Sequence, residues 1–464
     1  MSLYLNYEFK DVEASLNCLK GLLGKHEYKA GYYQRLAEGF GFIHAPRQRL
    51  NHGDPTTELL LSFFAENRSL KLKEIKALFT EELQQELERN RLIVRTDKGE
   101  FLSVFRIFPL NHFFILVPFR RFTEPQVYLG AESLTFHKYI QVIKHPKKIL
   151  DLASGSGFQL FGLPWQGPNV SMLGIDLNPN AVTAATLTAE WNNTSQWMTF
   201  KEGDITTDLY DFSEQFDLIT GHLPILPTPD NTRYKDTVHN DGGVDGFKVV
   251  RKVFPAIPDI LDPDGTFQLI LILLGDEQKP SLFSEIEQIM KMNGLKGQLL
   301  AIKKLPVELD AYYRGKKEFE YKKWMNFYIN QGSTYWYRNI LRVKKYSQSD
   351  KDIDRLTFIK LFRTDFSKPP KAIALKAVLR SMGHYLSDLA SISDLDREEF
   401  EMISDRLAKE IIQERNLQKS VTEYGKELAA NFPEIFPNSG SAIRFWGQLT
   451  SSFWQPKYLE RKLW

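Results

Sequence analysis

The sequence predicts an α/β protein built around a doubly wound, mostly parallel sheet. Three observations predict it. Short apolar runs alternate with helical patterns over about residues 125–345, the order that gives a parallel sheet with helices on both faces. One such run, Lys148–Leu152, leads directly into a turn carrying Gly155 and Gly157. The segments before about residue 90 and after about residue 350 show helical periodicity instead.

In chain order, Leu16, Leu19 and Leu23 share one helical face, as do Leu59, Leu60, Phe63 and Phe64. A helix is expected over Leu72–Phe79. Thr80 then caps a second helix with Glu81 and Glu82 in its first turn, running to Arg91. A hairpin follows over Leu92–Leu102, turning at Asp97-Lys98-Gly99. Helix, helix and two-stranded wing suggest a winged-helix-like module. His112–Pro118 is expected to be a buried strand. The sheet strands are expected at Lys148–Leu152, Met172–Asp176, Thr199–Lys201, Phe216–Thr220, Thr266–Leu273, Gln298–Lys304 and Tyr335–Lys344. A helix is expected over Phe247–Phe254. Beyond about residue 350, Leu375–Leu389, Arg397–Gln413 and Ser420–Phe432 are candidate helices, before a looser Pro433–Ser441 stretch and an aromatic tail. The organisation expected is residues 1–125, helical and winged-helix-like; 126–345, the α/β domain; and 346–464, a helical extension.

Composition narrows the chemistry. The chain has 464 residues with 60 basic and 58 acidic side chains, so its net charge of +2 does not hold it on nucleic acid by bulk attraction. Cys18 is the single cysteine, which excludes an intramolecular disulfide and cysteine-rich metal centres. The histidines lack metal-ligand spacing, so no metal is expected. No apolar run approaches the ~20 residues needed to cross a bilayer, and the N-terminal stretch lacks an apolar signal core. A soluble, cytoplasmic chain is expected, without membrane contact.

The strongest chemical signal is Lys148-Ile-Leu-Asp-Leu-Ala-Ser-Gly-Ser-Gly-Phe158. A buried strand ends near Asp151, and glycines let the backbone approach a ligand at the sheet's C-terminal edge. A second strand ends in an acid at Met172-Leu-Gly-Ile-Asp176, which can accept from both hydroxyls of a ribose. A third run, Phe200-Lys-Glu-Gly-Asp204-Ile205, ends in an acid able to accept from an adenine amino group, or to cap its own turn. The dinucleotide fingerprint G-x-G-x-x-G is absent, because Leu160 stands three positions after Gly157.

Over about residues 127–345 these motifs resemble the class I S-adenosylmethionine-dependent methyltransferases. Asp151-Leu-Ala-Ser-Gly-Ser-Gly157 is similar to the family's D-x-G-x-G-x-G loop, with Ala153 at the first glycine. The resemblance implies a Rossmann-like seven-stranded sheet whose last strand is antiparallel. It implies S-adenosyl-L-methionine as cofactor, held by Asp151, Ala153, Ser154, Gly155, Gly157, Asp176, Leu177, Asp204, Ile205 and Gly221. Asn240-Asp-Gly-Gly-Val-Asp-Gly-Phe247 narrows the resemblance to the release-factor glutamine and small-domain ribosomal methyltransferases, although Gly242, Gly243 and Gly246 can equally shape a turn.

Those enzymes end the fourth strand in Asn-Pro-Pro-Tyr or a close variant, which clamps a planar nitrogen. Here the aligned residues are His222, Leu223, Pro224 and Ile225. The expectation is a small-molecule or peptide acceptor with a hydroxyl, carboxyl or amine group, as in a tailoring step of specialised metabolism, and no nucleic-acid partner. His222 is the candidate base, or a hydrogen-bond donor if the acceptor is a carboxylate. Pro224 and Ile225 are candidate substrate contacts, with Tyr128 and Ser133 from a segment that in such families folds over the methionine end. Two alternatives stay open: a ribosomal RNA or translation-factor N-methyltransferase, and a cofactor-binding partner protein without transfer activity. The aromatic and basic run Tyr312–Tyr321, continuing to Trp324 and Tyr328, is either a substrate lid or a packed helical insertion.

Overall fold

The computed structural model describes residues 5, 7–37, 54–141, 145–164, 167–230, 232, 237–307, 310–311, 318–347, 355–361 and 421–433. The expected helices at 375–389 and 397–413, the aromatic tail and all but the first residue of 433–441 lie outside them.

The N-terminal segment is helical because its apolar residues fall at helical spacing. In α1 (Phe9–Lys25) the buried face is Val12, Leu16, Leu19 and Leu23. α2 spans Tyr28–Ala37. α3 (Pro55–Phe64) starts where Asp54 accepts from the amides of Thr56 and Thr57, with proline in its first turn. Its buried face includes Leu60, Leu61, Phe63 and Phe64, so Leu61 takes the place expected for Leu59. α4 (Leu72–Leu78) and α5 (Glu81–Arg89) follow, the latter capped by Thr80 Oγ1 accepting from Leu83 N. The hairpin of β1 (Ile93–Arg95) and β2 (Phe101–Ser103) turns at Gly99, whose φ of +74° needs glycine. The expected helix–helix–hairpin order is present. A second hairpin, β3 (Phe105–Leu110) and β4 (Phe113–Pro118), has no strand partner beyond its own pair among the described residues.

That second hairpin is satisfied by the next segment. After α6 (Ala131–Tyr139) come β5 (Lys148–Leu152), α7 (Phe158–Gly162), β6 (Ser171–Asp176) and α8 (Pro179–Trp191). The free edge of β4 donates Leu116 N to Thr188 Oγ1 at 3.0 Å and Phe114 N to Asn192 Oδ1 at 3.2 Å, so α8 and its C-cap cover the strand's unpaired amides. Trp191 Nε1 donates to Leu16 O at 2.9 Å, and Phe114 stacks on the Trp191 ring. One apolar core therefore runs from α1 through both hairpins to α7 and α8.

The remaining strands are β7 (Met198–Glu202), β8 (Phe216–Gly221), β9 (Leu261–Gly275), β10 (Leu295–Pro306), β11 (Tyr335–Lys345) and β12 (Leu356–Lys360). Between them lie α9 (Lys248–Val253), α10 (Ile257–Ile260), α11 (Phe283–Met292) and α12 (Glu318–Asn330), and α13 is Val421–Asn431. The sheet has eight strands in the order β12-β10-β11-β9-β8-β5-β6-β7, one more than the seven expected. The extra strand is β12, which pairs in parallel with β10 and falls in a stretch expected to be helical. Only Leu356 of this strand is buried, the rest being exposed or half-buried, which suits a sheet edge. β11 runs antiparallel between β9 and β10, as the expected terminal hairpin requires. The chain travels outward from β5 to β7 and then returns to β8 on the other side of β5. That reversal opens a crevice above the ends of β5 and β6.

No helix among the described residues is long and apolar enough to cross a membrane. Leu16→Ala is expected to lower stability by about 2–5 kcal/mol, because it opens a cavity between α1 and α8. Calorimetry should show a single transition moving down, since the N-terminal helices and the sheet share that core.

Candidate functional site

The turn after β5 is bent by its backbone. Ala153, Gly155 and Gly157 take φ values of +54°, +56° and +77°. Alanine at the first position carries strain that glycine would not. A Cβ on Gly157 would come within 2.6 Å of the Phe200 ring, whereas one on Gly155 would stand in the cleft, 3.6 Å from Tyr128 O. Glycine at 155 thus meets a conformational need and leaves room for a ligand.

Asp176 joins this turn to the next unit. One carboxylate oxygen accepts from Gly155 N at 2.7 Å, and the other from Asn178 N at 2.8 Å. Asn178 caps α8 by accepting from Asn180 N, and its Nδ2 donates to the carbonyls of Pro125 and Gln126 at 3.1 and 3.2 Å. These bonds draw a strap, residues 123–130, over the crevice. At the strap's other end the Tyr128 hydroxyl donates to Glu132, which pairs with Arg338.

The cleft is one continuous cavity of about 380 Å³. Its lining includes Ala153, Ser154, Gly155, Asp176 and Leu177, with Asp204 and Ile205. Tyr128, Ser133, His222 and Pro224 also line it, with Tyr128 and Ser133 both beside the His222 ring. Four expected site residues lie off this surface. Asp151 is buried beneath the turn, where its Oδ1 accepts from Thr220 Oγ1 at 2.7 Å and its Oδ2 has no partner. Gly157 caps α7. Gly221 is packed under Leu269. Ile225, expected to touch substrate, points into the core instead. The reason is the glycine run. Leu226 pairs with Asp241, and Gly242 and Gly246 press so closely on Ile225 that a Cβ on either would come within 2.9 Å of its backbone. Gly242 and Gly246 thus clamp the loop after β8, while Gly243, at a φ of +81°, shapes the turn beside Lys248.

Asp204 accepts from Thr206 N at 2.8 Å while lining the cavity, so it caps its turn and still faces a ligand. The structure adds His239, whose ring lies nearly parallel to Tyr128 at 6.1 Å. Its neighbour, the glycine run, was the only hint of it in the sequence. Of the aromatic run at 312–328, residues 312–317 lie outside the described residues. Trp324 and Tyr328 are buried on α12, in the core beneath β10 and β11, which fits the packed insertion.

The electrostatics are unusual for carboxylates. Burial pushes the Asp151 carboxyl up to about 7, with the Thr220 hydrogen bond opposing and Asp176 adding to the rise. Burial also raises Asp176. Two acids confined together suit a cationic ligand. Burial takes the His222 imidazole down to about 4, despite the nearby Glu132 charge. Burial would raise Glu132, but Arg338 and the Tyr128 hydroxyl outweigh it and hold the carboxyl at about 2. Ser133 Oγ lies 3.3 Å from His222 Nδ1 and accepts a long bond from Gly130 N. A neutral imidazole carries one N–H, so the ring has one donor and one acceptor nitrogen, with Nδ1 facing the Ser133 hydroxyl.

The unpaired Asp151 oxygen, the open face of Gly155 and the acid pair fit an adenosyl sulfonium with its cationic amino group. A methyltransferase-domain family matches residues 143–328. The release factor glutamine methyltransferase of Geobacter sulfurreducens is 31% identical over 147 residues, 30% of this chain and 50% of that protein. The ribosomal protein uL3 glutamine methyltransferase of Bradyrhizobium diazoefficiens is 29% identical over 159 residues, 31% of this chain and 49% of its own length. The human methyltransferase HEMK2 is 31% identical over 156 residues, 32% of this chain and 67% of that protein. The chain spans about half the length of the two bacterial relatives.

Asp151→Asn should raise the melting temperature of the ligand-free protein at pH 8 while weakening cofactor binding. The sign follows from linkage. A carboxyl raised from 3.8 to about 7 on folding binds more protons in the native state, so its contribution to stability falls as pH rises across that window. A cationic ligand favours the ionised form, so affinity should rise as pH climbs through about 7, and the variant should lose this slope. Scanning and titration calorimetry at pH 6 and pH 8 measure both.

Proposed function

We propose that this chain, which belongs to the class I S-adenosylmethionine-dependent methyltransferases, methylates a polypeptide side chain that enters past His222. The observation that carries the reading is the single cavity joining the Gly155–Asp176 crevice to the His222–Pro224 wall. A donor held at one end and an acceptor entering at the other would meet without crossing solvent. The relatives support a polypeptide acceptor, because two are named for glutamine residues of a release factor and a ribosomal protein. That weighs against the specialised metabolite expected from the sequence.

S-adenosylmethionine supplies a methyl group already activated by the positive sulfonium. The residues of this chain have four tasks. Asp176 and Asp204 would take the ribose and adenine. Leu177 and Ile205, on the same lining, would flank the adenine ring. Asp151 and Asp176 would balance the positive charge. The strap at 126–129 would exclude water. His222 is neutral at physiological pH and its lowered pKa makes it a poor proton sink. It serves here as a hydrogen-bond donor to an oxygen of the acceptor, a positioning task rather than a basic one. An acceptor oxygen or amide carbonyl fits that donor better than the nitrogen-accepting Asn-Pro-Pro clamp would.

The reading is tested by incubating the protein with methyl-labelled S-adenosylmethionine and the proteome of the source cell. One added methyl on a mapped polypeptide side chain is expected, and label confined to the small-molecule fraction would contradict it. Alkali separates the chemistries, since a methyl ester is lost and an N-methyl amide is retained. With that acceptor, His222→Ala should keep cofactor affinity and lower turnover by ~10²-fold. At saturating cofactor, the pH profile of kcat should show no histidine inflection between pH 6 and 7, because the imidazole stays neutral down to about 4. A histidine inflection there would restore the base.

A further inference from the structure

At the same rim of the sheet, the strand pair β10–β11 carries two positive groups, Lys303 and Arg338, of which the strap uses only Arg338, through Glu132. The pairing of these strands slips between Ala301 and Lys303. Without the slip, Lys303 would sit opposite Tyr337 and face the other side of the sheet. With it, Lys303 is directly opposite Arg338 and shares its face. Bulges of this kind re-aim side chains beside active sites. Two like charges directly opposite on a sheet oppose folding, so the arrangement calls for a compensating anion.

The protein supplies only part of one. Arg338 donates to Glu132 Oε1 at 2.5 Å, and the other Glu132 oxygen is taken by the Tyr128 hydroxyl. Lys303 has no hydrogen bond or ion pair among the described residues. Two further donors on this face are buried and unpaired: Arg338 Nε, and Nε1 of Trp336, whose ring lies 5.3 Å from the Arg338 guanidinium carbon. The patch is rich in donors, poor in acceptors and one positive charge in excess. Glu132 connects it to the acceptor wall, because it acts on both Lys303 and His222. Lys303, Arg338 and Glu132 all keep part of their surface accessible.

We propose that Lys303 and Arg338 form an anion-recognition point beside the methyl-transfer site, and that the polypeptide acceptor carries a carboxylate there. This rests on the methyl-transfer reading and names the substrate class more closely. A single carboxylate matches the one uncompensated charge. Burial beside Arg338 holds the Lys303 ammonium down to about 8, with Glu132 opposing the fall, so an arriving carboxylate would restore its full charge.

The test uses N-acetyl-L-glutamate as probe, N-acetyl-L-glutamine as the neutral control and S-adenosylhomocysteine to fill the cofactor crevice. Calorimetry should find that the carboxylate binds and that the neutral amide binds more weakly. Lys303→Met should weaken the carboxylate by roughly tenfold or more, the loss of one charge-assisted contact. Lys303→Arg should retain it. S-adenosylhomocysteine affinity should be the same in all three proteins, which shows that the variants are folded and separates this proposal from the cofactor reading. Equal binding of acid and amide, equal binding by Lys303→Met, or no binding of the acid to the intact protein would overturn the carboxylate site. Loss of S-adenosylhomocysteine binding by the intact protein would instead overturn the methyl-transfer reading.

Discussion

The Asp176 carboxylate is the joint on which the rest depends. One oxygen holds the glycine turn after β5, and the other holds the entry to α8. Both bonds go to backbone amides, so the joint fixes the main chain of two α/β units at the switch in strand order. The same helix entry, through Asn178, secures the strap that roofs the crevice. α8 also carries α1 through Trp191 and the second hairpin through Thr188. A single acid thus sets the distance between turn, strap and N-terminal segment. Among the described residues, the strap that follows the second hairpin lines the same cavity as His222.

Charge at the site is organised by burial. Burial pushes the Asp151 carboxyl up to about 7 and raises Asp176 as well, so ionising both acids here carries an electrostatic cost that a cation would relieve. Across the cavity the same desolvation works on a base. His222 loses its affinity for protons, while Glu132 keeps its charge because Arg338 answers it. Two acids therefore gather at the turn after β5, while a neutral His222 stands beside the Glu132–Arg338 pair.

Much of this was legible in the sequence. Strands β5 to β8 and β11 were expected close to their observed ends, because apolar runs bounded by glycine and acid leave little choice of element, whereas β9 and β10 extend beyond the expected Thr266–Leu273 and Gln298–Lys304. The turn at 153–157 and the acids at 176 and 204 were legible for the same reason. Ile225 was misplaced, because alignment along β8 orders residues but does not show which way the loop turns. The glycines at 242 and 246 decide that by pressing on it from a distant stretch of chain. β12 was missed, since a five-residue edge strand with an exposed face has weak periodicity. β3 was missed because its one strand partner among the described residues is β4, in a two-stranded hairpin that stands apart from the main sheet. The role of Lys303 was invisible, because a one-residue slip in register leaves no mark on local sequence.

The most direct measurement is a crystal structure of the protein with S-adenosylhomocysteine. The account requires the ribose hydroxyls on Asp176, the adenine between Leu177 and Ile205, and the sulfur facing the His222 wall. A ligand bound elsewhere, or one in the crevice whose sulfur faces away from His222, would contradict it.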